Sequence, residues 1–270
     1  MNDLIGVLPA AGRGSRLGTI PCSKEVMPLG FQPDEDAPIA WRPVTAIETN
    51  LVALQLAGAR RAVTIISESK ADVVRYVGDG RRYGLDVAYV YQQQLRGMPF
   101  ALNLARPWVG RATTIFAMPD TLITPITTIA HLTADHQYHG ADVTLGLFTT
   151  NTPQRFGMVA LDAHGLVVRS EEKPTQSDMN LMWGLAVWSP RFADFLSTYL
   201  ADYTDQNQEA LLGSVFRAAL EVGLSIRGLV LEGASYHDIG TPGDFQSAVR
   251  GLALGQMPGI DLRLSASQRR

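Results

Sequence analysis

The chain has 270 residues, of which 46% are hydrophobic and 18% charged, and a net charge of −3. That balance is globular, offers no general basic face for nucleic acid, and its single cysteine excludes an intramolecular disulfide or a cysteine zinc cluster. No apolar run approaches the roughly 20 residues of a membrane helix, and the N-terminus lacks a signal-peptide pattern, so a cytoplasmic protein without membrane or nucleic-acid partners is expected.

In chain order, residues 4–8 read as a buried strand. Val44, Ile47, Leu51 and Leu54 recur at helical spacing, with Pro43 before them and Gly58 after. Residues 62–66 and 113–117 are further β-branched runs. Strand–helix alternation predicts an α/β fold with a mostly parallel sheet. The middle changes character. Residues 142–148 read as a strand, and 156–161 and 166–170 flank Asp162-Ala163-His164-Gly165 as a hairpin. A strand at 182–188 follows, so the sheet is expected to become mixed. Helices over 190–200 and around 211–221, a strand near 225–231 and a helix over 242–252 complete the pattern. The polar tail 265–270 is expected to fray. No repeat, linker or clear domain boundary interrupts the chain, so residues 1–264 are expected to form one domain.

The most informative segment runs from Leu8 to Gly18 and contains Ala10-Ala11-Gly12-Arg13-Gly14-Ser15-Arg16. It follows the first strand directly, and ligands of open α/β sheets sit beyond the carboxyl ends of strands. Small residues let backbone N–H groups approach a polyphosphate, while Arg13, Arg16 and the nearby Lys24 supply charge. By itself the loop can also be read as a tight turn, the less favoured of the two readings. It is not a P-loop, and Leu17 stands where a dinucleotide fingerprint needs its third glycine.

Five later segments carry chemistry. Tyr89-Val90-Tyr91-Gln92 precedes Gly97-Met98-Pro99. An amide offers a donor and an acceptor, as a pyrimidine edge requires, although Gln93 and Gln94 are also available. Asp120 ends the run 113–117 plus Met118-Pro119, where a carboxylate can hold Mg²⁺ or cap a helix. Phe156-Gly157-Met158-Val159 and Glu171-Glu172-Lys173-Pro174 pair a hairpin with charges that suit hydroxyls and phosphate, or merely close a solvated turn. Trp183-Gly184-Leu185 follows, with Trp183 and Trp188 readable as core. Last comes Tyr236-His237-Asp238-Ile239-Gly240-Thr241-Pro242, in which Thr241 and Pro242 are expected as N-cap and first residue of a helix.

Together with Lys24-Glu25-Val26-Met27-Pro28, these segments resemble, in order, the sugar-1-phosphate nucleotidyltransferases, including glucose-1-phosphate thymidylyltransferases and uridylyltransferases. Ser15 replaces a commoner threonine, Pro99 an alanine and Thr121 an asparagine, and Gly18-Thr19-Ile20-Pro21 departs from the usual Pro-x-Thr. The resemblance implies a three-layer αβα, Rossmann-like fold with a mixed, mostly parallel sheet. It implies a nucleotide-binding part over about 1–125 and a sugar-binding part over about 126–264. Ala10, Ala11, Gly12, Gly14, Ser15, Arg16, Gln92 and Gly97 would bind the nucleotide. Gly157, Glu172, Lys173 and Gly184 would bind the sugar phosphate. Asp120 and Asp238 would hold Mg²⁺, with Arg16, Lys24 and Asp120 catalytic and His237 only a neighbour.

The implied reaction joins a nucleoside triphosphate and a sugar-1-phosphate and releases pyrophosphate. Gln92 favours dTTP or UTP, and glucose-1-phosphate is the family's commonest acceptor. The resemblance also leaves room for a homo-oligomer. Two alternatives keep the same fold: a catalytically silent sensor of nucleotide sugars, and a transferase with a non-sugar phosphorylated acceptor such as phosphocholine. An oxidoreductase is disfavoured by Leu17.

Overall fold

A computed structural model of the chain describes residues 3–33, 40–205 and 208–257. The expected tail at 265–270 and the expected domain end at 264 lie outside the described residues. β1 (Leu4–Pro9) leads through two 3-10 turns, Ser15–Leu17 and Lys24–Val26, to an antiparallel hairpin of β2 (Gly30–Pro33) and β3 (Trp41–Val44). Then come α1 (Ala46–Leu56), β4 (Arg61–Ile66), α2 (Ala71–Val77), β5 (Asp86–Tyr91), α3 (Met98–Leu104), α4 (Arg106–Val109), β6 (Thr113–Phe116), β7 (Thr121–Thr124) and α5 (Thr128–His139). The second half holds β8 (Val143–Thr149), β9 (Gly157–Leu161), β10 (Val167–Glu172), β11 (Leu181–Trp188), α6 (Pro190–Ala201), α7 (Leu212–Glu221), β12 (Ile226–Val230), β13 (Ser235–Asp238) and α8 (Pro242–Ala253).

The main sheet has nine strands in the order β10-β9-β11-β6-β1-β4-β5, with β8 along the other edge of β11 and β12 beyond β8. β1 pairs in parallel with β4 and β6, β4 with β5, and β8 with β12. β11 runs antiparallel to β6, β8 and β9, which makes the sheet mixed, as its sequence pattern suggested. β11 is eight residues long and serves two neighbours on one edge. Ala186–Trp188 pair with β6, and Leu181 and Met182 pair with β9.

Alternation along β1 sends Ile5 and Val7 to one face and Leu8 to the other. Ile5 and Val7 pack in a core with Leu102 of α3, Leu196 of α6 and Phe216 of α7. Leu8 packs in a second core with Leu51 of α1 and the α5 residue Leu132. Helices thus cover both faces of the sheet, giving three layers. Burying each large apolar side chain of these cores is worth about 1.5–3 kcal/mol, and that area fixes the layers more than helix propensity does.

Two short sheets were not expected. One is the β2–β3 hairpin, which takes into β3 both Val44, expected in the helix, and Pro43, expected just before it. α1 instead starts after Thr45, whose Oγ1 accepts from the Glu48 amide at 3.4 Å. The other is the antiparallel pair β7–β13, whose register sets Asp238 opposite Thr121. α8 begins as expected, with Thr241 as N-cap accepting from the Asp244 amide and Pro242 in the first turn.

Candidate active site

The sheet order reverses between β1 and its two parallel neighbours, β4 and β6, and ligands of such sheets bind at that point beyond the strand ends. A cleft of about 770 Å³ opens there. Its first wall is the glycine-rich loop. Ala10 is fully buried and its amide donates to the Ile65 carbonyl at 2.7 Å, while Ser67 Oγ donates to the Ala11 carbonyl at 2.8 Å. These two bonds tie the loop to the end of β4. Ala11, Gly12, Arg13, Gly14, Ser15 and Arg16 line the cleft; Ala10 lies beneath it. Gly14 has φ +66°, a backbone that a side chain would strain.

Lys24 reaches the cleft from the second 3-10 turn and pairs with the Asp120 carboxylate. Burial works against its ammonium, but Asp120, Glu25 and Asp238 outweigh that and raise its pKa above the usual lysine value. The turn is braced from behind. Glu25, buried, pairs with buried Lys70 at 2.8 Å, and Ser23 donates from its amide and hydroxyl to the Asp72 carboxylate at 2.5 and 2.7 Å.

Asp120 precedes β7 and Asp238 ends β13, so the pairing of those strands brings both carboxylates to one spot. The Ile239 amide donates to the Asp120 carbonyl at 3.1 Å, and the Gly240 amide to Asp238 Oδ1 at 2.8 Å. Burial and the Asp120 charge push the Asp238 pKa up, against the pull of Arg16 and Lys24. Arg16 and Arg155 each place a guanidinium nitrogen 3.9 Å from Asp238 Oδ2. Among the described residues no three His, Cys, Asp or Glu side chains cluster as a metal cage. Two carboxylates suit Mg²⁺, which takes one or two from protein and completes its shell with phosphates and water. Their mutual repulsion is what a divalent cation would relieve.

The other two corners hold the remaining motifs. Gln92 directly follows β5, is buried and lines the cleft beside Leu95, Gly97 and Met98, whereas Gln93 and Gln94 are exposed and do not. Gly97 has φ +104°, and a Cβ there would strike the Ala210 carbonyl. At the opposite end, the β9–β10 register sets Glu172 opposite Gly157. The Lys173 amide donates to the Phe156 carbonyl at 3.0 Å, with Lys173 itself at φ 45°. Burial raises the Glu172 pKa against the pull of Lys173. Phe156, Gly157, Glu172, Lys173 and Trp183 line this end. Gly184 does not; it gives room to the Tyr236 ring, which a Cβ would strike at 2.5 Å. His237 is likewise not among the residues lining the cleft.

Sequence reasoning missed Arg155 and Glu209. Arg155 lines the cleft and bonds Asp244 at 2.7 Å, and its adjacency to Phe156-Gly157 was an available signal. Glu209 carried none. The chain bears −3 overall, yet the cleft gathers Arg13, Arg16, Lys24, Arg155 and Lys173, which suits anionic ligands.

A family model described as "Nucleotidyl transferase" matches residues 5–253. The low-salt glycan biosynthesis nucleotidyltransferase Agl11 of Haloferax volcanii is 26% identical over 245 residues, covering 90% of this chain and 64% of that protein. A glucose-1-phosphate thymidylyltransferase of Neisseria meningitidis is 27% identical over 195 residues, covering 70% and 63%. The chain thus spans somewhat under two thirds of the length of these relatives. Among solved structures, a Bacillus anthracis chain in complex with sucrose superposes with a TM-score of 0.78 at 20% identity, covering 98% of each chain. A UDP-glucose pyrophosphorylase complexed with UDP-glucose superposes at 0.76 with 18% identity, covering 94% of this chain and all of that one. The fold is the one these two proteins share.

Proposed function

Since this chain belongs to the nucleotidyl transferase family, we propose that it joins a nucleoside triphosphate to a sugar-1-phosphate and releases pyrophosphate. One observation carries the reading. Asp120 and Asp238 meet at the centre of a single cleft, with Arg16 and Lys24 on the glycine-loop side and Glu172 and Lys173 on the other.

The acceptor phosphate is already a nucleophile at neutral pH, so no general base is required. Its oxygen forms a bond to the α-phosphorus, the bond from that phosphorus to the bridging oxygen breaks, and pyrophosphate leaves. Two anions must approach, so the residues act by positioning and charge. Arg16 and the loop amides bind the departing pyrophosphate. Lys24 and Lys173 hold phosphoryl groups on either side of the reacting centre. Asp120 and Asp238 would hold Mg²⁺, which when bound neutralises the phosphoryl oxygens.

For the base, the Gln92 amide supports uracil or thymine, hence UTP or dTTP, with glucose-1-phosphate as the acceptor. Residues 1–125 would serve the nucleotide and 126–264 the sugar, with Asp238 crossing back to the shared centre. Such substrates place the reaction in the cytoplasm. Pyrophosphate release, measured over a matrix of nucleoside triphosphates and sugar-1-phosphates with Mg²⁺ or with chelator, tests the reading. Release is expected only when Mg²⁺ and both substrates are present; release that ignores the sugar phosphate contradicts it.

A further inference from the structure

The acceptor end of the cleft holds an indole N–H that nothing in the protein satisfies. Trp183 is 6% exposed, and its ring packs edge-on against Phe216 at 5.3 Å and tilted against Phe116 at 6.4 Å. The core therefore fixes the ring. Its Nε1 faces Gly157, where an added Cβ would collide with it, and both residues line the cleft. Trp183 Nε1 has no hydrogen-bond partner. Glu172, at the same end of the cleft, turns Oε2 toward Gly213 of α7. Buried polar groups are nearly always paired, so an orphan donor on the cleft wall points to a ligand that supplies its acceptor.

We propose that Trp183 Nε1 donates a hydrogen bond to a hydroxyl of the phosphorylated acceptor and so makes Trp183 a specificity-determining residue for hydroxylated acceptors. The inference rests on the reading of the cleft as that of a nucleotidyl transferase. A hydroxyl accepts from an indole N–H and donates to a carboxylate. A quaternary ammonium headgroup cannot accept and would leave the indole N–H buried and unpaired. A site built to bond a hydroxyl discriminates strongly against an analogue that lacks it, because its own groups are then stranded. Selection among acceptors therefore follows from Trp183, while Lys173 contributes phosphate charge common to all of them.

The test is Trp183→Phe, which keeps an aromatic ring against Phe116 and Phe216 and removes the N–H. Pyrophosphate release is measured with the nucleotide that supports turnover, on glucose-1-phosphate and on its four single-deoxy analogues. The variant is expected to lose about tenfold in kcat/KM on glucose-1-phosphate, the size of one neutral hydrogen bond. On the analogue missing the bonded hydroxyl, variant and wild type are expected to be equal. An unchanged variant, or an equal loss on every analogue, overturns the assignment. Should Trp183→Phe fail to fold, benzothienylalanine incorporated at position 183 keeps the bicyclic ring, replaces only the N–H by sulfur and meets the same criteria. Wild-type turnover of phosphocholine and of no hydroxylated acceptor overturns both this inference and the reading beneath it. Wild-type sugar turnover with a flat variant profile overturns the role of Trp183 alone.

Discussion

Asp238 is held in a state that costs stability and, in the proposed function, serves chemistry. Burial and the Asp120 carboxylate raise its pKa above the ordinary aspartate value, so the folded chain keeps this proton to a higher pH than the unfolded chain does. The sign follows: stability linked to this group is full below the unfolded pKa and is lost as pH rises through the folded one. At neutral pH an ionised Asp238 is therefore a net strain on the fold. Asp238→Asn, whose side-chain oxygen can still accept from the Gly240 amide, is expected to melt at a higher temperature than wild type at pH 7 without divalent cation. The same variant is expected to lose at least 10²–10³ in turnover, as removal of preorganised charge stabilisation typically does. Adding Mg²⁺ should raise the melting temperature of wild type and leave that of the variant nearly unchanged; thermal scans and pyrophosphate assays check all three. At this scale the sequence was informative wherever a residue sat in an ordered motif, as with Lys24, Asp120 and Glu172. It was silent on Glu209 and on the orphan N–H of Trp183, because burial and the direction of a side chain are set by partners distant in the chain.

Lys24, the lysine proposed to be catalytic, depends on a three-residue turn with little packing of its own. Glu25 and Lys70 meet behind that turn, both almost wholly buried. Breaking such a pair by removing one partner leaves a bare buried charge and typically costs 3–5 kcal/mol, whereas replacing both with apolar residues is often neutral. Lys70→Met is therefore expected to lower stability by about 3–5 kcal/mol in urea unfolding, and Glu25→Met combined with Lys70→Met to recover most of it. If the pair positions Lys24, the double variant should remain folded yet turn over more slowly than wild type. Most long elements were legible. Buried β-branched runs gave β1, β4, β6, β8 and β12, and the Asp162–Gly165 turn announced the β9–β10 hairpin. The β2–β3 and β7–β13 pairs were not, since four-residue strands containing Gly30, Pro33 and Pro43 show no period. The partner of β7, moreover, lies more than 100 residues along the chain. That illegible β7–β13 register is what joins the two carboxylates of the site.

At the scale of the whole molecule, acid sensitivity and function come from different places. His136 on α5 is buried against Thr144 of β8, with Nδ1 3.0 Å from its hydroxyl, and Asp135 and Asp142 are the charges that face it. Burial pulls its pKa down to about 4, against those two carboxylates. An unfolded histidine titrates near 6.5, so between the two values the unfolded chain binds the extra proton and stability falls as pH drops. The loss across pH 6.5 to 4 is on the order of 2–3 kcal/mol, and denaturant midpoints for wild type and His136→Gln should converge over that range. The proposed activity is governed instead at the mouth of the sheet, where segments far apart in sequence converge on one cleft because the strand order reverses at β1. The most direct test of the account is pyrophosphate release by wild type and Asp120→Ala, assayed with Mg²⁺, dTTP or UTP, and glucose-1-phosphate. Release by wild type that needs both substrates, and its absence from a folded Asp120→Ala protein, is the predicted result; equal release by the two proteins would contradict it.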